Sequence, residues 1–228
     1  MMKKLILLAA AIGLLLIGCA EKSSDGKVPE AGSVDAGTSS AEQDVPALTV
    51  YPLADTTMES LNDAILSVSL EEGGAYVDDT GKMQMDLKIY SCDAYDMKDV
   101  AGLKVGDVLV THAGQVEISA LERNESGTVY INGGAENGGF NLLAAGGGIF
   151  YAGDHNGEKS WHEVGEATIR VSAYFMGYDN ADPALGEVVL YPGDFLIGAV
   201  ENYDFTPRNT TVRVEGGQIV EMNRSYLP

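Results

Sequence analysis

Apolar and polar residues alternate with a period of two along most of the chain that follows residue 46. Residues 83–89 show the pattern most clearly, because methionine, leucine and isoleucine occupy every second position between polar side chains. Successive side chains of a strand point to opposite faces, so this alternation predicts a half-buried strand, entered through a turn at 79–82. Residues 66–70 alternate in the same way and predict its partner strand. A helix over 58–66 is the competing prediction for that segment.

The same pattern recurs in short runs that glycine, asparagine and aspartate separate, which is typical of antiparallel sheets. Gly216 and Gly217 supply the positive φ that a two-residue hairpin requires, between strands at 211–215 and 220–222. One helix is predicted at 195–200, with Asp194 as its cap. Further strands are predicted at 108–112, 116–121, 128–132, 140–143, 149–152, 168–172 and 187–191. The chain is therefore predicted to be mostly β, an antiparallel barrel or sandwich with at most one or two short helices.

The N-terminus has the layout of a secretory signal peptide. Basic residues precede an apolar run at 5–17, whose 13 residues are fewer than the roughly 20 that a membrane-spanning helix needs. The run ends in Leu16-Ile17-Gly18-Cys19, which resembles the lipobox of bacterial lipoproteins. The resemblance implies that residues 1–18 are removed and that diacylated Cys19 anchors the chain to a lipid bilayer on the extracytoplasmic side. An ordinary signal peptide with a chance cysteine is the alternative, and the choice between inner and outer membrane stays open.

Residues 19–46 are predicted to be a lipidated N-terminus followed by a flexible acidic linker. They are rich in Ser, Ala, Gly, Asp and Glu and carry no aromatic residue, so they cannot bury enough apolar surface to offset the entropy of ordering. A flexible chain of this length has a root-mean-square reach of about 30 Å. Residues 47–228 are then predicted to form a single β-rich extracytoplasmic domain.

The composition is strongly acidic, with 34 Asp and Glu against 14 Lys and Arg and a formal net charge of −20. Such a field repels phosphate backbones, so nucleic acid is not a predicted partner. The chain has two cysteines. If Cys19 is lipidated, Cys92 is the only thiol left and no disulfide can form within the chain.

Imidazole and carboxylate side chains offer two candidate metal sets. The set suited to zinc, which takes nitrogen and oxygen ligands tetrahedrally, comprises Asp154, His155, His162 and Glu163. The set suited to calcium, which takes oxygen ligands, comprises Asp179 and Asp182. Neither spacing matches a zinc or EF-hand motif, and a solvated polar loop is the alternative for both.

The glycine-rich stretch 137–157 has the composition of a phosphate-binding loop but lacks the motifs. No glycine is followed by Lys-Ser or Lys-Thr, as a Walker-type loop requires. Gly146 and Gly148 begin a dinucleotide fingerprint, but Tyr151 stands where its third glycine belongs. The hydrolase motifs G-x-S-x-G and H-E-x-x-H are also missing from the sequence. Enzymatic activity therefore has no sequence support.

Trp161, Tyr151 and Tyr178 are the candidate ligand face. Aromatic rings that are half exposed present a flat surface to a sugar or a peptide. The alternative is that these rings are buried cross-strand partners of the sheet.

Segments 137–140, 205–210 and 224–228 resemble exported lipoproteins of anaerobic Gram-positive bacteria, a resemblance that implies no activity. The predicted function is a membrane-anchored, non-catalytic binding or accessory domain with a protein or glycan partner at the cell surface. An extracellular hydrolase that depends on zinc or calcium and a structural protein of the envelope are the alternatives.

Overall fold

The structure is a computed structural model that describes residues 46–180, 182, 184, 186–197 and 204–225. These residues belong to one compact unit, Val45–Pro228. The predicted signal peptide, the lipidation site Cys19 and the predicted linker up to residue 45 lie outside the described residues.

Strands dominate the described chain, which confirms the prediction of a mostly β fold with few short helices. In chain order the strands are β1 (Thr49–Val50), β2 (Ala64–Val77), β3 (Met83–Ser91), β4 (Ala94–Asp96), β5 (Val108–Thr111), β6 (Gly114–Glu117), β7 (Leu121–Arg123), β8 (Val129–Ile131), β9 (Phe140–Ala145), β10 (Ile149–Gly153), β11 (His162–Asn180), β12 (Val188–Leu190), β13 (Thr210–Glu215) and β14 (Gln218–Ser225). The described helices are α1 (Met97–Gly102) and α2 (Pro192–Leu196), with 3-10 turns at Met58–Ser60 and Ala135–Asn137.

Five of the strands close into a barrel. β2 pairs with β3, β3 with β11, β11 with β14, β14 with β13, and β13 returns to β2. All of these pairs are antiparallel except β11 and β14, which run parallel. When the five barrel strands are numbered by their order in the chain, they follow one another around the ring as first, second, third, fifth and fourth. Helix α2 lies in sequence between the third and the fourth of these strands. This is the strand order of the OB fold, a five-stranded Greek-key barrel.

The barrel closes around a core because its strands alternate apolar and polar side chains. On β3, Met85, Leu87 and Ile89 are fully buried, while the intervening Asp86 is exposed. The strand register shifts on β2 after Leu70 and on β11 after Val171, and such β-bulges bend a strand so that it can follow a tight ring. The other buried core residues are Leu66, Val68, Ile169, Val171, Phe175, Leu190, Phe195, Phe205, Val212, Val214, Ile219 and Met222.

Residues 92–161 leave the barrel after β3 and return at β11, and we call them the insert. Five strands of the insert form a sheet in the order β4-β10-β9-β8-β7, and β5 and β6 form a second sheet with β1. The two sheets share a core of their own, which consists of Val50, Tyr95, Val100, Leu103, Leu109, Ile118, Val129, Ile131, Leu142 and Phe150. The described chain therefore combines a barrel with a second, smaller two-sheet structure.

The strand predicted at 66–70 is confirmed over the competing helix, and the short helix predicted at 195–200 is present but begins earlier. β2 begins at Ala64, so the segment at 66–70 is a strand and the helix over 58–66 does not form beyond one 3-10 turn. α2 starts at Pro192 rather than Phe195, because proline has the φ of a first helical residue and lacks the N–H that would go unpaired there. Asp194 lies inside its first turn and accepts a hydrogen bond from the Tyr191 N–H at 2.7 Å.

The hairpin predicted at Gly216–Gly217 is confirmed, and the strands predicted at 140–143 and 149–152 form a second hairpin. β9 and β10 run antiparallel across the glycine turn at 146–148, and β13 and β14 meet at the Gly216–Gly217 turn. A bulge after the second turn changes which side chains face inward: Ile219 and Met222 are buried, whereas Val220 is only half buried.

Candidate functional site at the barrel–insert junction

Four polar side chains meet where the insert leaves and rejoins the barrel. Ser91 ends β3 and His162 begins β11, and these two residues are paired across the strands. Their pairing brings both ends of the insert to one place. We call the polar group there, which consists of Asp55, Asp93, His112 and His162, the junction cluster.

Asp93 holds His112 by two kinds of hydrogen bond. Its carboxylate is 1% exposed and accepts from the His112 backbone N–H at 3.1 Å and from the ring Nδ1 at 2.9 Å. The ring is presented by a two-residue turn between β5 and β6, which the pairing of Thr111 with Gly114 fixes. Because an ionised carboxylate can only accept, Nδ1 carries the proton and Nε2 of a neutral ring has the lone pair.

Asp55 orients His162 in a corresponding way. The His162 Nε2 donates to Oδ2 of Asp55 at 3.2 Å, which leaves Nδ1 as the acceptor of a neutral ring. That Nδ1 is buried and has no hydrogen-bond partner among the residues that the structure describes. Nearly all buried polar atoms in proteins are paired, so this nitrogen marks a place where another partner belongs.

The two imidazole rings stack on each other. Their centroids are 3.9 Å apart and their planes differ by 9°. Asp93, His112 and His162 each offer a ligand atom, and these atoms lie within 4.8 Å of one another. The side chain of His112 is 37% exposed and that of His162 is 15% exposed, so solvent reaches the cluster from the His112 side.

The predicted zinc set is not brought together as a ligand group within the described chain. Of its members, His162 alone lies in the junction cluster. Glu163 follows it on β11, and successive strand residues point to opposite faces, so its exposed side chain turns away from the ring.

Asp154 and His155 belong to the turn that follows β10. The Asp154 carboxylate accepts from the N–H groups of Asn156 and Glu158 at 2.8 and 2.9 Å. Partial burial opposes ionisation, but these backbone hydrogen bonds outweigh it and lower the pKa of Asp154. His155 is exposed and lines a separate groove beside Tyr130. Asp154 therefore stabilises a turn.

The two residues of the predicted calcium set have different surroundings. Asp179 is buried and accepts from Nε and a terminal nitrogen of Arg224 at 2.9 and 2.8 Å. Asp182 accepts from the Ala184 N–H at 2.8 Å. Arg224 already neutralises Asp179, so calcium would have to displace a buried guanidinium.

A groove of about 360 Å³ lies beside the junction cluster and shares Asp55 with it. Two residues of the predicted ligand face, Tyr151 and Trp161, line this groove. Between them, the Lys159 ammonium lies 3.8 Å from the Tyr151 ring centroid and 5.6 Å from that of Trp161. The third residue, Tyr178, pairs with Val189 on the other half of β11. We call this feature the Trp161 groove.

Cys92 also lines the Trp161 groove, but it is not a reactive group. The side chain is buried and its Sγ donates to the carbonyl oxygen of Ala152 at 3.4 Å. Burial raises the pKa of the Cys92 thiol to about 11. At neutral pH the sulfur is therefore protonated, whereas a nucleophile or a metal ligand must be a thiolate.

The barrel surface that binds oligonucleotides and oligosaccharides in OB folds is acidic in this chain. Residues of β2, β3 and β11 line a depression of about 480 Å³ there. Its charged residues are Glu71, Glu72, Asp86, Lys88 and Glu166, and the one cation among them, Lys88, pairs with Glu71 at 2.6 Å. Such a surface repels phosphate groups, so the fold alone gives no reason to expect nucleic acid binding.

Sequence reasoning missed Asp55, Asp93 and His112. They lie in three separate segments, and no motif links them to His162. The signal that could have drawn attention to two of them is position, because Asp93 and His112 each come at the end of a strand-like run, where side chains leave a sheet.

Comparison with protein-family models, with curated protein sequences and with solved structures found no match. No helix within the described ranges combines the length and the apolar character that crossing a membrane requires.

Proposed function

We propose that the chain is an extracytoplasmic lipoprotein, tethered to a bacterial membrane through diacylated Cys19, whose β domain is a non-catalytic module that binds glycans in the Trp161 groove. The observation that carries the binding proposal is the convergence of Tyr151, Trp161 and Lys159 on one groove. The anchor rests on the lipobox resemblance at Leu16-Ile17-Gly18-Cys19.

A glycan suits the chemistry of the Trp161 groove. Aromatic faces pack against the C–H surface of a sugar ring, while Lys159 and Asp55 offer a donor and an acceptor for its hydroxyl groups. The volume of about 360 Å³ is at the small end of ligand pockets, which suits one or two sugar units.

Membrane attachment is tested with the two cysteines of the chain. Cys19→Ala removes the acylation site, and the protein is then expected in the soluble fraction after cell lysis, because two acyl chains provide the stable anchor. Cys92→Ser is the matched control and should stay with the membrane. A Cys19→Ala protein that still sediments with membranes would refute the lipoprotein assignment.

Ligand binding is tested through Trp161, the one tryptophan of the chain, whose fluorescence reports on the groove directly. Soluble peptidoglycan fragments and chitin oligosaccharides are titrated into the full-length protein in detergent. We expect a saturable change in emission, and Tyr151→Ala should weaken the affinity about tenfold, as the loss of a central aromatic contact does. Tyr178→Ala, a tyrosine outside the groove, is the control.

Two results would count against the glycan proposal. One is the lack of any saturable response to either class of glycan. The other is an equal loss of affinity in Tyr151→Ala and Tyr178→Ala, which would place the binding surface elsewhere.

A further inference from the structure

We infer that Asp93, His112 and His162 form a binding site for a divalent transition-metal ion, for which zinc is the best match, and that Asp55 positions His162 for it. This site is distinct from the predicted zinc set, with which it shares only His162. The inference rests on the junction cluster alone and needs neither the lipid anchor nor a glycan in the Trp161 groove.

The hydrogen bonds of the junction cluster hold both imidazoles in defined tautomers. Asp93 accepts from Nδ1 of His112 and Asp55 accepts from Nε2 of His162. Each carboxylate therefore fixes one tautomer and leaves the opposite nitrogen, Nε2 of His112 and Nδ1 of His162, with its lone pair available. Metal-bound histidines have the arrangement that His162 shows with Asp55, because the carboxylate orients the ring and makes it more basic.

The buried Nδ1 of His162 is the second, independent observation. It has no hydrogen-bond partner in the part of the chain that the structure describes, and solvent does not reach it. A buried acceptor without a partner is unfavourable unless something binds to it. A metal ion that enters from the exposed His112 side would provide that partner.

Distances show how far the cluster must rearrange. One possible ligand atom from each of the three residues lies within 4.8 Å of the others, while a tetrahedral zinc ion holds its ligand atoms about 3.3 Å apart. A nitrogen lone pair lies in the plane of its ring, so two parallel rings 3.9 Å apart cannot both point at one ion. Binding therefore opens the stack, and His112 is the ring that turns because its side chain is the more exposed.

The donor set determines the class of metal. Two imidazoles and one carboxylate suit zinc and its transition-metal neighbours, whereas calcium takes six to eight oxygen ligands and finds too few here. When the His112 ring turns, it gives up its bond to Asp93, and one carboxylate oxygen of Asp93 then becomes free to bind the ion. Three protein ligands leave a fourth position for water or an exogenous ligand.

The test is zinc affinity of the full-length protein in detergent, dialysed against EDTA and titrated with zinc chloride against a competing chelator dye. We expect one zinc ion per chain. His112→Gln and His162→Gln should each weaken the affinity by at least roughly 100-fold, and Asp55→Asn, which removes only the orienting carboxylate, by about 10- to 100-fold. His155→Gln, which changes the one histidine outside the cluster, should leave the affinity unchanged.

Cobalt titration separates coordination from a merely structural effect. Cobalt bound by nitrogen and oxygen ligands in a tetrahedral site gives visible absorption bands, which should vanish in His162→Gln and persist in His155→Gln. Circular dichroism in EDTA checks that each variant is folded. If a histidine variant does not fold, the metal affinity of Asp55→Asn still tests the proposal. Wild-type zinc affinity that survives in His112→Gln, His162→Gln and Asp55→Asn would overturn the proposal, and so would an equal loss in His155→Gln.

Discussion

The barrel and the insert reach the same kind of buried core by different means. Barrel strands have six to 19 residues, with 14 in β2 and 19 in β11, and each pairs with two or three neighbours. The insert strands have three to six residues and depend on glycine turns to reverse direction. The polar groups differ as well: the buried Asp179 of the barrel is paired with Arg224, while a ring nitrogen of His162 at the junction has no hydrogen-bond partner among the described residues. The ion pair of the barrel stabilises the fold, whereas the incomplete hydrogen bonding of His162 at the junction indicates a binding site.

The largest effect is expected from the buried ion pair of the barrel. Asp179→Ala leaves the guanidinium of Arg224 in a buried position without the carboxylate that it binds through two nitrogens, which should cost about 3–5 kcal/mol in the free energy of unfolding. Urea denaturation measures it. Arg213→Ala breaks a more exposed pair with Glu221 and should cost about 0–1 kcal/mol. Equal losses would show that burial does not distinguish the two pairs.

The independence of the two cores is tested with a matched pair of leucines. Leu87 of the barrel core and Leu142 of the insert core are 1% and 0% exposed. Either Leu→Ala change should cost about 2–5 kcal/mol through lost burial and a cavity. Hydrogen exchange should show that Leu142→Ala speeds exchange mainly in β8, β9 and β10, because the two cores do not share residues. Uniform acceleration in β2 and β3 as well would mean that barrel and insert unfold as one unit.

The dependence of the insert on glycine turns predicts a smaller effect. Gly147, between β9 and β10, has a φ of +79°, so Gly147→Ala should cost about 1–2 kcal/mol although its Cβ would meet no neighbouring atom. Gly193 in α2 has ordinary helical backbone and equally open space, and Gly193→Ala should be neutral or slightly stabilising. Thermal unfolding compares the two. A loss at Gly193 as large as that at Gly147 would contradict the role assigned to positive φ.

The smallest effect on stability at neutral pH is expected for Cys92, the first residue of the insert after β3. In Cys19→Ala it is the sole thiol, and its reaction with a disulfide reagent at pH 8 should be much slower in the native protein than in urea, because burial protects it and raises its pKa to about 11. An unfolded thiol ionises near pH 8.5. Cys92 therefore contributes stability below that pH, and the contribution is lost as pH rises toward 11. Equal rates in the native and unfolded protein at pH 8 would contradict this.

Period-two alternation was enough to predict the sheet content, because the alternation within one strand already shows which of its side chains face the core. The segment at 83–89 became β3 with the expected residues buried. The register of β14 was not predictable, because the bulge that turns Ile219 inward depends on pairing with β13. The closed ring was not predictable either, since it requires contacts between strands that the whole insert separates.

Candidate site residues could be predicted only as residue types. His155 and His162 were recognised as possible ligands, but His162 was grouped with its sequence neighbours Asp154 and Glu163. Strand geometry sends Glu163 to the other face, and the partners of His162 come from residues 55, 93 and 112 instead. Two residues of the predicted ligand face, Tyr151 and Trp161, line one groove, and they flank the turn that follows β10.

The most direct test of a site at the junction is anomalous X-ray scattering at the zinc edge from crystals grown with zinc chloride. We predict a peak about 2.0–2.1 Å from Nδ1 of His162, with His112 turned out of the ring stack and Asp93 as the third protein ligand. A dataset in which zinc occupies the turn at His155 or the acidic barrel surface, with no peak at His162, would contradict the account.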